Sequence, residues 1–154
     1  MKARTMLLAV VTCLACATLS FADNANLGTW KLNEAKSKIS PGSPKNTTVV
    51  IEAAGDSVKV TVDGVDGQGK PIHNEWTGKF DGKDYPVTGD PTSDMRAYKQ
   101  LDAHTQELTV KKDGKVGVTG KITVSADGKT RTVATSGTDP SGKKVQNKSV
   151  YDKQ

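Results

Sequence analysis

The sequence predicts an all-β protein, an antiparallel up-and-down meander of about nine to ten strands closed into a barrel. Three observations predict it. Apolar and polar residues alternate with the two-residue period of a half-buried strand. The cleanest case is Ser57 to Val65, where Val58, Val60 and Val62 face one way and Lys59, Thr61 and Asp63 the other. Turn pairs recur at short intervals, among them Gly55-Asp56, Asp63-Gly64, Asp66-Gly67, Asp81-Gly82, Asp113-Gly114, Asp127-Gly128 and Ser141-Gly142. Asp-Gly between alternating runs marks a hairpin, because both central residues of a type I′ turn need positive φ. Consecutive strands joined by such turns leave two raw edges unless the sheet closes on itself.

The chain begins with Lys2 and Arg4, followed by an apolar run from Met6 to Leu19 and small residues at Ser20 and Ala22 around Phe21. Such a pattern is a secretory signal with cleavage expected before Asp23. The run is too short to span a bilayer, so no integral membrane segment is expected after cleavage. Residues 1–22 therefore form the leader and 23–154 a single domain, which places the protein in the periplasm or outside the cell. Cys16 follows Cys13 rather than the aliphatic residue a lipid-anchoring signal wants, so acylation is not expected. Both cysteines leave with the leader, and the remaining 132 residues must hold together without a disulfide.

Strands are expected at 28–32, 46–54, 57–65, 71–80, 95–101, 105–112, 115–125, 130–137 and 143–152. Val116, Val118, Gly120, Ile122 and Val124 repeat the alternation against Lys115, Thr119, Lys121 and Thr123, and the β-branched, Thr-rich composition disfavours helix. Two connections are long. Asn33 to Lys45 carries Pro41, Gly42, Ser43 and Pro44, leaving room for one helical turn at Glu34 to Lys38. Asp81 to Asp94 carries Pro86, Gly89 and Pro91 and holds no strand longer than 83–87.

Composition bounds the function. Formal net charge is +5 for the whole chain; Lys2 and Arg4 leave with the leader, so the domain carries +3. Its lysines are spread through the turns without interleaved aromatics, which argues against a nucleic-acid partner. Leu, Ile, Val and Phe supply only 23 of the 132 residues, the composition of a thin core and a partly polar, hollow interior. No zinc spacing, serine elbow, phosphate-binding glycine loop or dinucleotide fingerprint occurs, so neither an enzyme nor a cofactor is expected. His104 reads as a turn residue and His73 as an outward strand residue beside Glu75. Asp81, Asp84, Asp90 and Asp94 share one loop but match no calcium-loop spacing, so no metal site is expected. Asn46-Thr47-Thr48 and Asn147-Lys148-Ser149 fit the glycosylation pattern but fall in strands.

Leu27-Gly28-Thr29-Trp30-Lys31-Leu32 resembles the opening strand of lipocalins and fatty-acid-binding proteins, and Ser149-Val150-Tyr151-Asp152 resembles the last strand of the latter. The chain is also similar to small lipocalin-like proteins exported by soil bacteria, through Gly-Thr-Trp-Lys-Leu-Asn, Asp-Gly-Lys-Asp-Tyr-Pro-Val-Thr-Gly and Asp-Gly-Lys-Thr. The resemblance implies a barrel with Gly28 and Trp30 plugging one end and Tyr151 facing inward. It also implies a ligand inside, met by Trp76, Tyr98, Arg96, Arg131, Asn147, Ser149 and Tyr151. Two departures stand out. Residues 33–45 are too short for the helical lid of fatty-acid-binding proteins, and Ser149 replaces their carboxylate-binding arginine, leaving Arg96, Arg131 or Lys148 as candidate cations.

The expected function is thus an exported, non-enzymatic and monomeric barrel that binds a small lipophilic or amphipathic molecule. The alternative is a structural or protein-interaction barrel filled by its own side chains. On the last strand, Val145, Asn147, Ser149 and Tyr151 share the inward face, which offers hydrogen bonds but no charge. A neutral ligand is therefore expected to fit better than a fatty acid.

Overall fold

A computed structural model of the chain describes residues 24–139 and 141–154, so the expected leader, its cysteines and the expected cleavage before Asp23 lie outside the described residues. Ten antiparallel strands run in chain order: β1 (Gly28–Leu32), β2 (Lys45–Ala54), β3 (Ser57–Val65), β4 (Pro71–Gly78), β5 (Tyr85–Thr88), β6 (Met95–Asp102), β7 (Thr105–Lys112), β8 (Lys115–Val124), β9 (Thr130–Thr138) and β10 (Lys144–Lys153). Each pairs with the next and β10 returns to β1, so the meander is a closed barrel. The long first connection contains only a single 3-10 turn, Glu34–Lys36.

The valine alternation sets the register. Val49 faces Val62 and Ile51 faces Val60 across β2 and β3, and all four are buried. Slipping this hairpin by one residue would turn every one of them to solvent. Nine strand ends and starts follow the turn chemistry within one or two residues. The tenth strand, β5, is four residues long and contains Pro86, and only Glu75–Thr88, Trp76–Val87, Tyr85–Arg96 and Pro86–Met95 pair along its edges. Its shortness and its proline hide it from alternation. Backbone bonds from flanking loops complete the wall there, including Gly82 N–H to the Tyr98 carbonyl and Gln100 N–H to that of Phe80.

The chain starts β1 at the end we call the base, where the turns after β2, β4, β6 and β8 also lie. The opposite end is the mouth. Trp30 closes the base: it is fully buried and its indole N–H donates to the Asn26 carbonyl at 2.8 Å. The Lys153 ammonium covers its ring at 5.1 Å from the centroid. Gly28 has φ +125°, a backbone conformation that favours glycine, and only the flexible end of the Lys153 side chain lies where a Cβ would be.

The interior is lopsided. Inward residues of β2, β3 and β4, such as Val49, Val58, Val60 and Trp76, are buried under a continuous apolar cluster. The inward residues of upper β7 to β10 mix aliphatic with small or polar side chains, and Leu108, Val118, Gly120, Thr135, Gly137, Val145 and Asn147 remain half-exposed although they face the lumen. Gly120 and Gly137 carry no side chain, so that half of the barrel is less filled than the β2 to β4 half.

Candidate ligand site in the barrel interior

Cross-strand register stacks inward side chains in rings. Tyr98, Leu108, Gly120, Thr135 and Asn147 are successive neighbours across β6 to β10. Gln100, Gln106, Ile122, Val133 and Ser149 form the next ring toward the base. Below it come Val124, Arg131, Tyr151 and Leu32. A cavity of about 770 Å³ is lined by Leu108, Gly120, Thr135 and Asn147 of the uppermost ring, by Lys38, and by residues of the opposite strand parity such as Glu107 and Lys148.

Arg131 overturns the expectation of an uncharged interior. It is only 4% exposed and sits directly across from Tyr151, with its guanidinium carbon 5.8 Å from the tyrosine ring centroid. No carboxylate pairs with it among the described residues, and its Nε has no hydrogen-bond partner. Burial pushes its pKa below the ordinary arginine value, opposed only by the Tyr151 and Tyr98 hydroxyls. Burial likewise raises the Tyr151 pKa, with Arg131 pulling the other way. A guanidinium keeps its proton under any ordinary condition. The base of the hollow therefore holds a permanent positive charge with two phenols and no counter-ion. An uncompensated charge in such a place is costly, and an anion relieves it.

The cavity and the charge occupy different levels. Thr135 and Arg131 are four residues apart on β9, roughly 13 Å of strand. Tyr98, in the ring at the cavity, bears electrostatically on Arg131 from the level above. A ligand reaching from the cavity to Arg131 passes Val133 and Ser149, both only half-buried.

The other expected site residues have other work. Arg96 faces inward nearer the mouth but is already neutralised: one amino group donates to Asp90 at 2.7 Å and the other to Asn74 at 2.9 Å. Asp90 belongs to the loop between β5 and β6, and this contact draws that loop over the β4 to β6 side of the mouth. Burial raises the Asp90 pKa, but hydrogen bonds from Ser93, Thr92 and Arg96 outweigh burial and leave it below the usual carboxylate value. Asn147 is also committed, accepting from Ser40 N–H at 2.7 Å and donating to Ser43 Oγ at 3.2 Å. It fastens the 33–44 connection to the wall rather than offering free amide groups to a ligand. Lys148, on the outward face of β10, is exposed. Trp76 is inward but only 1% exposed. It donates to the Arg96 carbonyl at 3.0 Å and packs edge-on against Tyr98 with centroids 4.7 Å apart. With Phe80 and Tyr85 it forms an aromatic wall behind Tyr98.

The four loop aspartates do not converge. Asp81 accepts from Lys83 N–H and the Tyr85 hydroxyl, Asp84 pairs with Lys111 at 2.6 Å, Asp90 with Arg96, and Asp94 accepts from Asp113 N–H. His73 is exposed, with Nδ1 2.6 Å from an Asp63 oxygen on the outer face. Of the expected set, then, Asn147 lines the cavity while tethering the 33–44 connection, Arg131, Ser149 and Tyr151 face inward on the two rings below, and Tyr98, Arg96 and Trp76 build the opposite wall. Neither a protein-family model nor any curated protein matches the chain.

Proposed function

We propose that the protein is an exported binding barrel whose ligand is a small amphipathic anion, a carboxylate or similar oxyanion held by Arg131 with hydrogen bonds from Tyr151 and Tyr98. One observation carries this reading: an inward-facing, buried guanidinium has no counter-ion among the described residues, and a cavity touches the inward ring of Leu108, Gly120, Thr135 and Asn147 two levels above it. A barrel selected only for stability would fill that hollow and discard the charge. Mixed walls, with Leu108 and Val133 beside Thr135 and Ser149, suit a ligand that is apolar in part. Among the described residues no hydrogen bond pairs a nucleophile with a base beside Arg131, which favours binding over catalysis. Export rests on the leader at residues 1–22, and the intact mass of the mature protein, expected to begin at Asp23, tests it.

The binding test uses two probes that share a scaffold. Anilinonaphthalene sulfonate carries an anion, and phenylnaphthylamine lacks it. The anionic probe should bind more tightly at neutral pH, and Arg131→Met should weaken it about tenfold or more, the scale of one charge-assisted hydrogen bond. Phenylnaphthylamine binding should hardly change. If both probes respond equally to the substitution, or neither binds, the site is not an anion receptor.

A further inference from the structure

Residues 57–78 and 130–151 align with each other without a gap, and they form two hairpins from different sides of the barrel, β3–β4 and β9–β10. Val60, Gly64, Asp66, Gly69, Lys70 and Asn74 recur as Val133, Gly137, Asp139, Gly142, Lys143 and Asn147. The strand register is the same in both: Val60 faces Trp76 and Val133 faces Ser149, Val62 faces Asn74 and Thr135 faces Asn147. So is the turn. Asp66 N–H donates to the Lys70 carbonyl at 2.8 Å and Asp139 N–H to that of Lys143 at 2.9 Å, and each carboxylate accepts two further backbone N–H groups within its own turn. Turn chemistry alone would repeat the aspartate and the following glycine. It would not repeat three residues along the strands. Gly64 and Gly137 each admit the preceding strand closely, since a Cβ would strike the carbonyl oxygen of Lys45 in one and of Gly117 in the other. Asn74 and Asn147 each accept a hydrogen bond that ties a passing segment to the wall, from Arg96 at 2.9 Å and from Ser40 N–H at 2.7 Å.

The copies differ where they meet the interior. The first places Trp76 above Gly78, and the indole lies over that glycine: a Cβ there would come 2.6 Å from Trp76 Cζ2. The second places Ser149 above Tyr151. Each hairpin thus has one aromatic ring for two inward positions, but in the second it is rooted one level nearer the base, roughly 7 Å along the strand. Burial follows this shift. Val60, Val62, Asn74 and Trp76 are buried, whereas Val133, Thr135, Asn147 and Ser149 are half-exposed. We infer that β9–β10 carries the same hairpin unit as β3–β4 with its filler moved downward, and that Ser149, in the place of Trp76, is the residue that sets how far a ligand reaches into the barrel. A serine leaves the level between Asn147 and Tyr151 open to a partly apolar body, where an indole would close it. The equivalence of the hairpins stands by itself; the role of Ser149 rests on the binding function proposed above.

The test grafts the first pair onto the second hairpin in the full mature protein. Tyr151→Gly alone removes a buried ring and should lower the urea midpoint of unfolding. Adding Ser149→Trp should restore most of that loss, because the indole then has a glycine to lie over, and should abolish phenylnaphthylamine binding by filling the level the probe crosses. If Tyr151→Gly does not fold, a double variant that does fold is itself that recovery. The same ring added on the outer face, in Thr123→Trp, should leave the probe bound. A double variant no more stable than Tyr151→Gly would show that the two hairpins are not equivalent, and the inference falls. Recovered stability with phenylnaphthylamine bound as tightly as by wild type would show that Ser149 does not set the depth. A wild type that binds neither fluorescent probe, with stability still recovered by tryptophan, would sustain the equivalence of the hairpins and sink the ligand reading instead.

Discussion

Replacing Arg131 by methionine should make the ligand-free protein more stable, an unusual expectation for a fully packed position. The unpaired Nε is a buried donor, and such a group costs about 1–3 kcal/mol. Its charge adds a further burden that the Tyr151 ring, 5.8 Å away, relieves only in part. Loss of that cation–π contact gives back about 1 kcal/mol. Methionine matches much of the arginine's aliphatic length and adapts to irregular space. The net gain should be about 1–2 kcal/mol, which in a domain of this size raises the melting temperature by roughly 3–10 °C. Urea unfolding and thermal scans of delipidated protein measure it. Saturating anilinonaphthalene sulfonate should reverse the order, since a ligand at a hundred times its Kd adds about 2.7 kcal/mol to the protein that binds it. A delipidated variant less stable than wild type by 1 kcal/mol or more would refute the reasoning, because Arg131 would then be a structural side chain satisfied within the fold.

Truncating Trp30 to alanine should destabilise the barrel by about 3–5 kcal/mol, the scale of a buried aromatic, and denaturant titration reads this directly. A loss below about 1 kcal/mol would mean that the base is not closed by Trp30. Asp90→Asn should cost about 2–4 kcal/mol at neutral pH by stranding Arg96. Because the folded-state pKa of Asp90 is lowered, its contribution is full above the unfolded-state value and fades as pH falls through the folded-state one. Wild type and variant should therefore converge only in acid, in unfolding curves taken across pH, and a gap that stays constant into acid would contradict the pairing.

Much of the architecture is written in residue parity. Val58, Val60 and Val62 state which face of β3 is inward, and the Asp-Gly pairs state where hairpins turn. Closure follows from the number of strands, and the Gly28-Thr29-Trp30 opening marks the closed end. The site is less legible, for a physical reason. Parity along β9 does place Arg131 on the face of Val133, and parity along β6 places Arg96 on the face of Tyr98. Parity says nothing of pairing, and whether an inward arginine is neutralised depends on a loop residue such as Asp90. Only the register that sets Tyr151 opposite Arg131 shows a charge without an acid. Asn147 fails in the opposite sense: its polar groups look available along the strand, yet Ser40 and Ser43 arrive from more than a hundred residues away to occupy them.

Closure of the barrel joins Leu32 to Tyr151 and Trp30 to Lys153, near opposite ends of the domain. Contacts so distant in sequence form late, because a long loop must be ordered before they return any energy. The β2–β3–β4 meander, with its valines buried against one another, can form locally and early. Arg131 loses its water only when Tyr151 and β10 are drawn against β1, so its desolvation falls on the closing step of folding. The charge that readies the barrel for an anion thus also resists the last movement that makes it a barrel, and an anion present during folding would ease that movement.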